Sequence, residues 1–296
     1  EQDYLSAGGT LGYTFDFNRR LTTLAVKGGL TLDQVQPVGG APTGLQSLSS
    51  NQTQTATTSS GSTSTSSGDG TQGEGGEGLE GKSKVVTDLM VGVTQVLTRR
   101  TLVQLNYTHT FMNGYLTDPY KVLSVVSAST GETQDYVHEK RPSTRNTDAL
   151  YLKLVQHLGF GVAHLSYRYF RDDWGIRSHT GELKYHLKLG GSFYLEPQAR
   201  YYTQTAAKFY HYSLVSGEPA KLDYASADLR LGRMTSTTFG LKVGGELFGG
   251  DLSLRYARMR QTGNSHPDSA IGVQRQYNLY PTLDATIVNL SYSTKF

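Results

Sequence analysis

The chain has 296 residues, of which 18% are charged, with a formal net charge of +3 and no cysteine, and its mean hydropathy is −0.42. No segment approaches the ~20 consecutive apolar residues of a membrane-spanning helix. The small net charge gives no reason to expect nucleic acid as a partner, and the lack of cysteine excludes disulfides and thiolate metal ligands. Tyrosine is frequent, with 20 residues against 10 Phe and 1 Trp, as is typical of membrane–water interfaces.

The first two segments alternate between apolar and polar side chains. In residues 4–15, Leu5, Leu11 and Tyr13 share one face of an extended strand, and small or polar residues share the other. Residues 23–32 repeat this pattern after a short polar turn. Two alternating segments joined by a short turn predict a β-hairpin.

Residues 37–81 consist mainly of Ser, Thr, Gly and Gln. Such a segment buries too little apolar surface to offset its chain entropy. Because the strand pattern resumes after it, we predict a long mobile loop within one domain that covers residues 1–296.

The alternation then continues to the C-terminus, interrupted by a second polar loop at about 113–146. We predict about twelve strands in all, including strands near 148–157, 161–170, 223–232, 238–247, 251–260 and 283–296. Apolar faces rich in Leu, Val and Tyr oppose faces that carry Lys, Arg, Glu and His. This pattern favours an all-β transmembrane antiparallel up-and-down β-barrel over a soluble sandwich or lipocalin-like protein.

The C-terminal strand orients the predicted barrel. The chain ends on Phe296, an aromatic end that suits the closing strand of a barrel and recognition by the barrel-assembly machinery. Twelve strands would then put the loop 37–81 on the periplasmic side, against the rule that periplasmic turns are short. Either the strand count near 233–280 is off by one, or strands that precede Glu1 are missing from this chain. We favour the second explanation, with more than twelve strands in the complete barrel.

Several motifs resemble a family of Gram-negative outer-membrane proteins known only as a domain of unknown function. They are Gly114–Lys121 (GYLTDPYK), Glu139–Pro142 (EKRP), Tyr167–Ile176 (YRYFRDDWGI), Ser178–Thr180 (SHT) and Pro197–Tyr210 (PQARYYTQTAAKFY). The resemblance covers most of the chain and implies a Gram-negative outer-membrane location without an activity. It also implies a small lipoprotein or an envelope redox protein as partner. Lys208 stands where the resemblance leads us to expect Asp.

Charged residues on the polar faces are the candidates for lining a lumen, where opposed charges would influence permeation. They are Lys27, Asp88, Arg168, Glu182, Lys184, His186, Lys188, Glu196, Arg200, Asp228, Arg230, Lys242 and Glu246. Paired charges of this kind can also fill a narrow barrel, so the sequence does not distinguish an open pore from a filled barrel.

One loop cluster combines Asp172, Asp173, Trp174 and His179. Adjacent carboxylates near a His can bind a divalent ion or act in acid–base chemistry. The stronger interpretation is a turn whose carboxylates pair with Arg168, Arg171 or Arg177. No Gly-x-Ser-x-Gly motif and no metal-ligand spacing of His occurs in the sequence. We therefore predict no catalytic residue, metal or cofactor, and a protein that is not an enzyme.

Three functional hypotheses follow. The first is a porin-like or conduit barrel that passes small solutes or houses an envelope partner, with outer-membrane lipid and lipopolysaccharide around it. The second is an interaction barrel that presents its long loops to a surface or redox partner. A membrane-embedded hydrolase is the least favoured.

Overall fold

A computed structural model describes residues 3–48, 81–247 and 249–294. Within these ranges, none of the helices has the length and apolar character needed to cross a membrane. Three short 3-10 helices lie in connections, at Asn18–Arg20, Leu229–Leu231 and Gly272–Gln276. The strands are β1 (Tyr4–Phe17), β2 (Thr22–Val35), β3 (Lys82–Thr98), β4 (Thr101–Gly114), β5 (Val122–Val126), β6 (Thr133–His138), β7 (Thr144–Leu158), β8 (Gly161–Asp172), β9 (Arg177–Gly190), β10 (Phe193–Gln204), β11 (Leu214–Val215), β12 (Met234–Leu247), β13 (Gly250–Gly263) and β14 (Leu283–Thr294).

Eleven strands form one antiparallel sheet in the order β1-β2-β3-β4-β7-β8-β9-β10-β12-β13-β14. Each strand pairs with the next strand of the sheet along the chain, which is an up-and-down arrangement. The predicted all-β class and strand connectivity are therefore confirmed. In the described ranges, β1 pairs with β2 alone and β14 with β13 alone, so the sheet is open between them.

The connection that follows β4 contacts residues next to two distant strands of the sheet. Tyr120, which follows β4, donates a hydrogen bond to Asp3 beside β1 at 2.7 Å. Asp118, two residues earlier, pairs with Arg230 just before β12 at 3.0 Å. In a flat sheet β1 and β12 would lie roughly 38 Å apart, at ~4.8 Å per strand. The connection after β4 thus contacts residues that border strands far apart in the sheet order.

The period-two alternation gives the sheet two chemically different faces. Large apolar side chains are exposed at alternate positions of the strands, as in Leu11 (84% exposed), Phe239 (67%) and Leu290 (70%). We call this side the exposed apolar face and the opposite side the polar face. A soluble sheet would bury its apolar face against a second layer.

The two ends of the sheet differ in their connections. Five short connections, 18–21, 99–100, 159–160, 191–192 and 248–249, lie at the end towards which β14 runs. The connections 36–81, 115–143, 173–176, 205–233 and 264–282 lie at the other end. We call these the short-turn end and the long-loop end.

The predicted strand at 223–232 is wrong. This segment belongs to the connection 205–233 and contains the 3-10 helix Leu229–Leu231, whose first turn is capped by the Asp228 side chain accepting from Arg230 N. Its alternating pattern has no neighbouring strand to pair with in the sheet. The described sheet has eleven strands rather than twelve, and with this count β2 ends and β3 begins at the long-loop end.

The long loops fold together into a loop cap, which comprises residues 36–48, 115–143, 173–176, 205–233 and 264–282. The strands β11, β5 and β6 form a second sheet there. Two apolar clusters lie in the cap, one around Leu123 and Leu214 and one around Trp174 and Phe209. Residues 49–80, the greater part of the predicted mobile loop, lie outside the described residues, whereas Leu45 N bonds to His138 O of β6.

Candidate functional site

Eleven of the thirteen lumen candidates lie on strands of the main sheet. Each occupies a position that alternates with exposed apolar residues, as Lys242 does between Leu241 and Val243. They therefore share the polar face, and their role in lining a lumen stays a prediction. Asp228 and Arg230 do not lie on the sheet, because the segment predicted as their strand is part of the loop cap.

Positive charges outnumber negative ones on the polar face of the eleven strands, which carries eleven Lys or Arg against eight Asp or Glu. The acids are Asp16, Asp33, Asp88, Asp172, Glu182, Glu196, Glu246 and Asp251. Seven of the bases form no ion pair with a described residue, namely Lys27, Lys82, Lys153, Arg168, Lys188, Arg200 and Lys242. Unpaired bases leave a positive potential along this face.

The middle of the polar face contains a polar network. Glu182 accepts from Gln198 at 2.6 Å and pairs with Lys184 at 3.0 Å. Glu196 lies 3.5 Å from His186 and 3.8 Å from Arg255. The network borders a cavity of about 210 Å³ whose walls include Lys153, His164, Glu182, Lys184 and Glu196. Acids and bases from four neighbouring strands thus meet on one wall.

At the long-loop end, a buried charge network joins the cap connections 115–143 and 205–233. Asp228, whose side chain is 3% exposed, accepts from Arg230 at 2.5 Å and from Arg141 at 2.8 Å. Arg141 also contacts Glu139, which is fully buried. The Asp118 carboxylate accepts a hydrogen bond from the Arg230 guanidinium at 3.0 Å, and the Asp118 backbone N–H donates to the Glu139 carboxylate at 2.7 Å. Each carboxylate has at least two donors, as buried charges require.

The two buried acids of this network have opposite pKa shifts. Burial alone would raise the pKa of Asp228, but hydrogen bonds from Arg230 and the nearby charges of Arg230 and Arg141 lower it to about 2. For Glu139, burial dominates and raises the pKa despite Arg141 and a hydrogen bond from Ser226. Asp228 is therefore the firmly ionised partner of the arginines.

Beneath this network lies a cavity of about 350 Å³ at the edge of the polar face. Its walls carry four arginines, Arg141, Arg145, Arg168 and Arg230, together with Ser178, Tyr202 and Gln204. Three of the arginines are paired with carboxylates of the cap or of the strand ends. Arg168 lies beside the Phe170 ring at 5.4 Å and carries an unpaired charge.

The Asp172–Trp174 cluster is a turn, and its partners differ from those predicted. Asp172 binds Arg145 at 2.6 Å and accepts from Ile176 N at 2.7 Å. Asp173 instead accepts from the backbone and side chain of Asn146, both at 3.0 Å. None of the expected partners Arg168, Arg171 and Arg177 forms an ion pair with these carboxylates. Arg171 and Arg177 lie on the exposed apolar face, and Arg168 lies beside the Phe170 ring.

Trp174 lies at the centre of the second cap cluster. It packs edge-on against Phe209 at 5.1 Å, donates Nε1–H to Thr144 O at 2.8 Å and stacks under the Arg145 guanidinium at 4.4 Å. Lys208 donates to Asp173 O at 3.0 Å. A cation at position 208 thus holds the turn.

His179 is separate from the rest of this cluster. It lies on the exposed apolar face of β9, where its Nδ1 contacts Tyr167 OH at 2.6 Å. The structure therefore does not bring His179 to the carboxylates. In the described part of the chain, no three His, Asp or Glu residues are grouped as metal ligands would be.

Sequence reasoning did not select Glu139, Arg141 or Arg145 as site residues. Glu139 and Arg141 belong to the EKRP motif, and Asp118 belongs to the GYLTDPYK motif. Membership of these motifs was therefore the sequence feature that could have identified them. Alternation within a single strand does not indicate that residues far apart in the sequence meet in one network.

A sequence model of the family described as "Protein of unknown function (DUF3570)" matches residues 1–294. No curated protein matches the chain. Among solved structures, CdiB from Acinetobacter baumannii is similar over 97% of this chain and 44% of its own, with 12% identity and a TM-score of 0.44. The chain thus spans less than half the length of CdiB.

Two structures of OmpT, an in-vitro folded outer membrane protein of Vibrio cholerae, are similar over 98% of this chain. The trimer form is 11% identical, is covered over 98% of its length and has a TM-score of 0.39. The other structure is 12% identical, is covered over 94% and has the same TM-score.

Proposed function

We propose, for a chain that belongs to the DUF3570 family of proteins of unknown function, an outer-membrane β-barrel that passes small anionic solutes. The solutes would move along the polar face and under the loop cap. The observation that carries this proposal is the excess of unpaired Lys and Arg on the polar face, opposite an exposed apolar face. Opposed faces of this kind are those of a barrel with a polar lumen in lipid.

The exposed apolar face supports the membrane location. Leu, Val, Phe and Tyr side chains on neighbouring strands leave an apolar surface far larger than the few hundred Å² that soluble monomers expose. Lipid would cover this surface without a second protein layer. The short-turn and long-loop ends fit the periplasmic and outer sides of such a barrel, in that order.

The charges of the polar face support a preference for anions. Arg168 lies at the cavity under the cap, and Lys153 borders the cavity in the middle of the face. Neither forms an ion pair with a described residue, so both are available to a passing carboxylate or phosphate. Rings of Lys and Arg favour anions in pores by the same electrostatic principle.

Planar-bilayer recording of the purified protein tests the proposal. Under a salt gradient, we expect a reversal potential that reports anion preference. The double variant Lys153→Glu/Arg168→Glu should shift the permeability ratio towards cations, whereas Lys153→Arg/Arg168→Lys, which keeps both charges, should not. The proposal would be contradicted if the protein showed no conductance, or if the charge reversal left the permeability ratio unchanged.

A second candidate function is docking of an envelope partner by the loop cap. Tyr136, Tyr224 and Tyr277 are exposed in the cap, by 50%, 40% and 61%. Exposed tyrosines are typical anchors of protein interfaces. Deleting residues 45–75 or replacing these three tyrosines by Ser should abolish co-purification of a lipoprotein or redox partner. Unchanged co-purification in both variants would argue against this candidate.

A further inference from the structure

The long-loop edge of the exposed apolar face carries a group of polar side chains on β4, β7, β8 and β9. The strand register places His109, Asp148, Arg171 and Arg177 side by side in one row. Tyr169 and His179 form the next row, and Tyr167 and Gly181 the row after it. We call these three rows the edge patch. Successive rows lie roughly 6.8 Å apart along the strands, at two residues per row.

The first row holds more positive charge than its single acid balances. Asp148 accepts from Tyr107 at 2.5 Å, and from His109 and Arg171 at 3.0 Å each. The carboxylate of Asp148 is therefore already engaged by these three donors. The side chain of Arg171 is nevertheless 62% exposed.

Arg171 and Arg177 are direct cross-strand neighbours. Like charges in this position destabilise a sheet unless an anion lies between them. Arg177 is exposed and forms no ion pair with any described residue. The pair thus presents two guanidinium groups, which bind phosphate in a bidentate manner.

The lower rows are aromatic. The ring centroid of His179 lies 5.2 Å from that of Tyr169 and 6.1 Å from that of Tyr167. Tyr167 and Tyr201 are the cross-strand neighbours of Gly181, one on each side. An added Cβ at Gly181 would meet nothing within 4 Å. The glycine therefore leaves a gap between two tyrosines on the exposed apolar face.

We propose that the edge patch binds a phosphorylated glycolipid of the outer leaflet. The Arg171–Arg177 pair holds a headgroup phosphate, the Tyr and His rows lie at the level of the sugar and ester groups, and an acyl chain runs over the Gly181 gap. The order from charged to aromatic to apolar side chains matches the order of groups in such a lipid from its headgroup inwards. The inference rests on the proposed membrane placement, in which the long-loop end faces outwards.

Native mass spectrometry of the full chain in a non-ionic detergent tests this inference. The protein is titrated with bisphosphorylated lipid A, with dephosphorylated lipid A and with inorganic phosphate as a competitor. We expect the phosphorylated lipid to bind most tightly. The double variant Arg171→Gln/Arg177→Gln should weaken its binding about tenfold or more, because both bases that attract the anionic headgroup are removed.

Two further variants sharpen the test. Arg99→Gln/Arg100→Gln removes two exposed arginines at the short-turn end, and its lipid binding should equal that of the unmodified protein. Gly181→Leu fills the gap between the tyrosines and should weaken lipid binding without changing far-UV circular dichroism. Both results would support a site that recognises headgroup and acyl chain together.

Three outcomes would overturn the inference. They are unchanged lipid A binding in the Arg171/Arg177 double variant, equal binding of dephosphorylated lipid, and competition by inorganic phosphate at concentrations matched to the lipid. The conductance measurement is independent, because Arg171 and Arg177 lie on the face opposite the proposed passage. Anion preference should survive in the double variant, so failure of one proposal does not imply failure of the other.

Discussion

The sheet and the loop cap of this protein are stabilised in opposite ways. Of the fourteen buried hydrophobic residues in the described ranges, only Ala257 lies on the eleven-stranded sheet. The other thirteen lie in the connections at the long-loop end and in the small sheet that they form. The sheet exposes Leu, Val and Phe, whereas the cap buries Leu123, Leu214 and Trp174 as a soluble domain would.

This difference indicates that the sheet and the loop cap are adapted to different surroundings. The sheet pairs its backbone through inter-strand hydrogen bonds and exposes its apolar side chains, which lipid would cover in the proposed membrane placement. The cap buries its own apolar core and a paired charge network, as a domain in water must. Substitutions should therefore have large effects in the cap and small effects on the exposed apolar face.

The largest effect is expected for Trp174→Ala. The variant removes the centre of the second apolar cluster, the hydrogen bond to Thr144 O and the stacking partner of Arg145. We expect a loss of roughly 3–5 kcal/mol in cap stability. Limited trypsin digestion with mass spectrometry should show new cleavage after Lys208 and Arg230 while the sheet stays protected.

Leu241→Ala is the matched control for this prediction. Leu241 lies on β12 and is 42% exposed, so its truncation should change stability in detergent by about 0.5 kcal/mol or less. Equal sensitivity of both positions would contradict the division into a self-supporting cap and a lipid-supported sheet.

A somewhat smaller effect is expected for Asp228→Asn. The variant leaves Arg141 and Arg230 facing a neutral amide in a buried site, at a cost of roughly 3 kcal/mol. Hydrogen exchange should show faster opening of the connections 115–143 and 205–233. Asp223→Asn, an exposed change in the same connection, should exchange like the unmodified protein.

The same carboxylate predicts a pH dependence. The native pKa of Asp228 is lowered to about 2, from its ordinary value near ~4. Its stabilisation is thus complete above about pH 4 and is lost as the pH falls towards 2. Glu139 acts in the opposite sense, since burial raises its native pKa and its protonation favours the folded cap. Cap protection that declines already between pH 7 and 5 would disprove the assignment to Asp228.

The smallest difference in stability is expected between substitutions of two glycines, one where the sheet meets the loop cap and one on the exposed apolar face. Gly114 ends β4 with φ +120°, and an added Cβ would lie 2.3 Å from Ser83 O. Gly114→Ala should cost about 1–3 kcal/mol and loosen the start of the cap. Gly181→Ala on the exposed apolar face should be near neutral, because its Cβ meets nothing within 4 Å. Thermal unfolding of the two variants measures the difference.

The sequence predicts the sheet better than the cap. Strands β7, β8, β12, β13 and β14 lie where alternation predicts them, because period two follows from the geometry of one extended chain. The segment 223–232 also alternates, yet Asp228 caps a 3-10 helix there. Alternation without a partner strand is therefore insufficient evidence for a strand.

The candidate site divides in the same way. Alternation alone places Lys242 and Glu196 on the polar face, and the structure agrees with that placement. Arg141, Glu139 and Asp118 were not predicted as site residues, although two of the family-like motifs contain them. Their partners are Asp228 and Arg230, and the sequence separation is 87 residues for Arg141 and Asp228 and 112 residues for Asp118 and Arg230.

The sequence by itself determined the β class and the two faces, because these depend on neighbouring residues in one strand. Tertiary structure alone decided the number of strands in the described sheet, the end of the sheet at which β2 ends and β3 begins, and the meeting of loop motifs in a buried charge network. It also placed Arg171 beside Arg177. These features depend on which strands and loops become neighbours, and contacts between distant segments are fixed by the packing of the whole chain rather than by any local pattern.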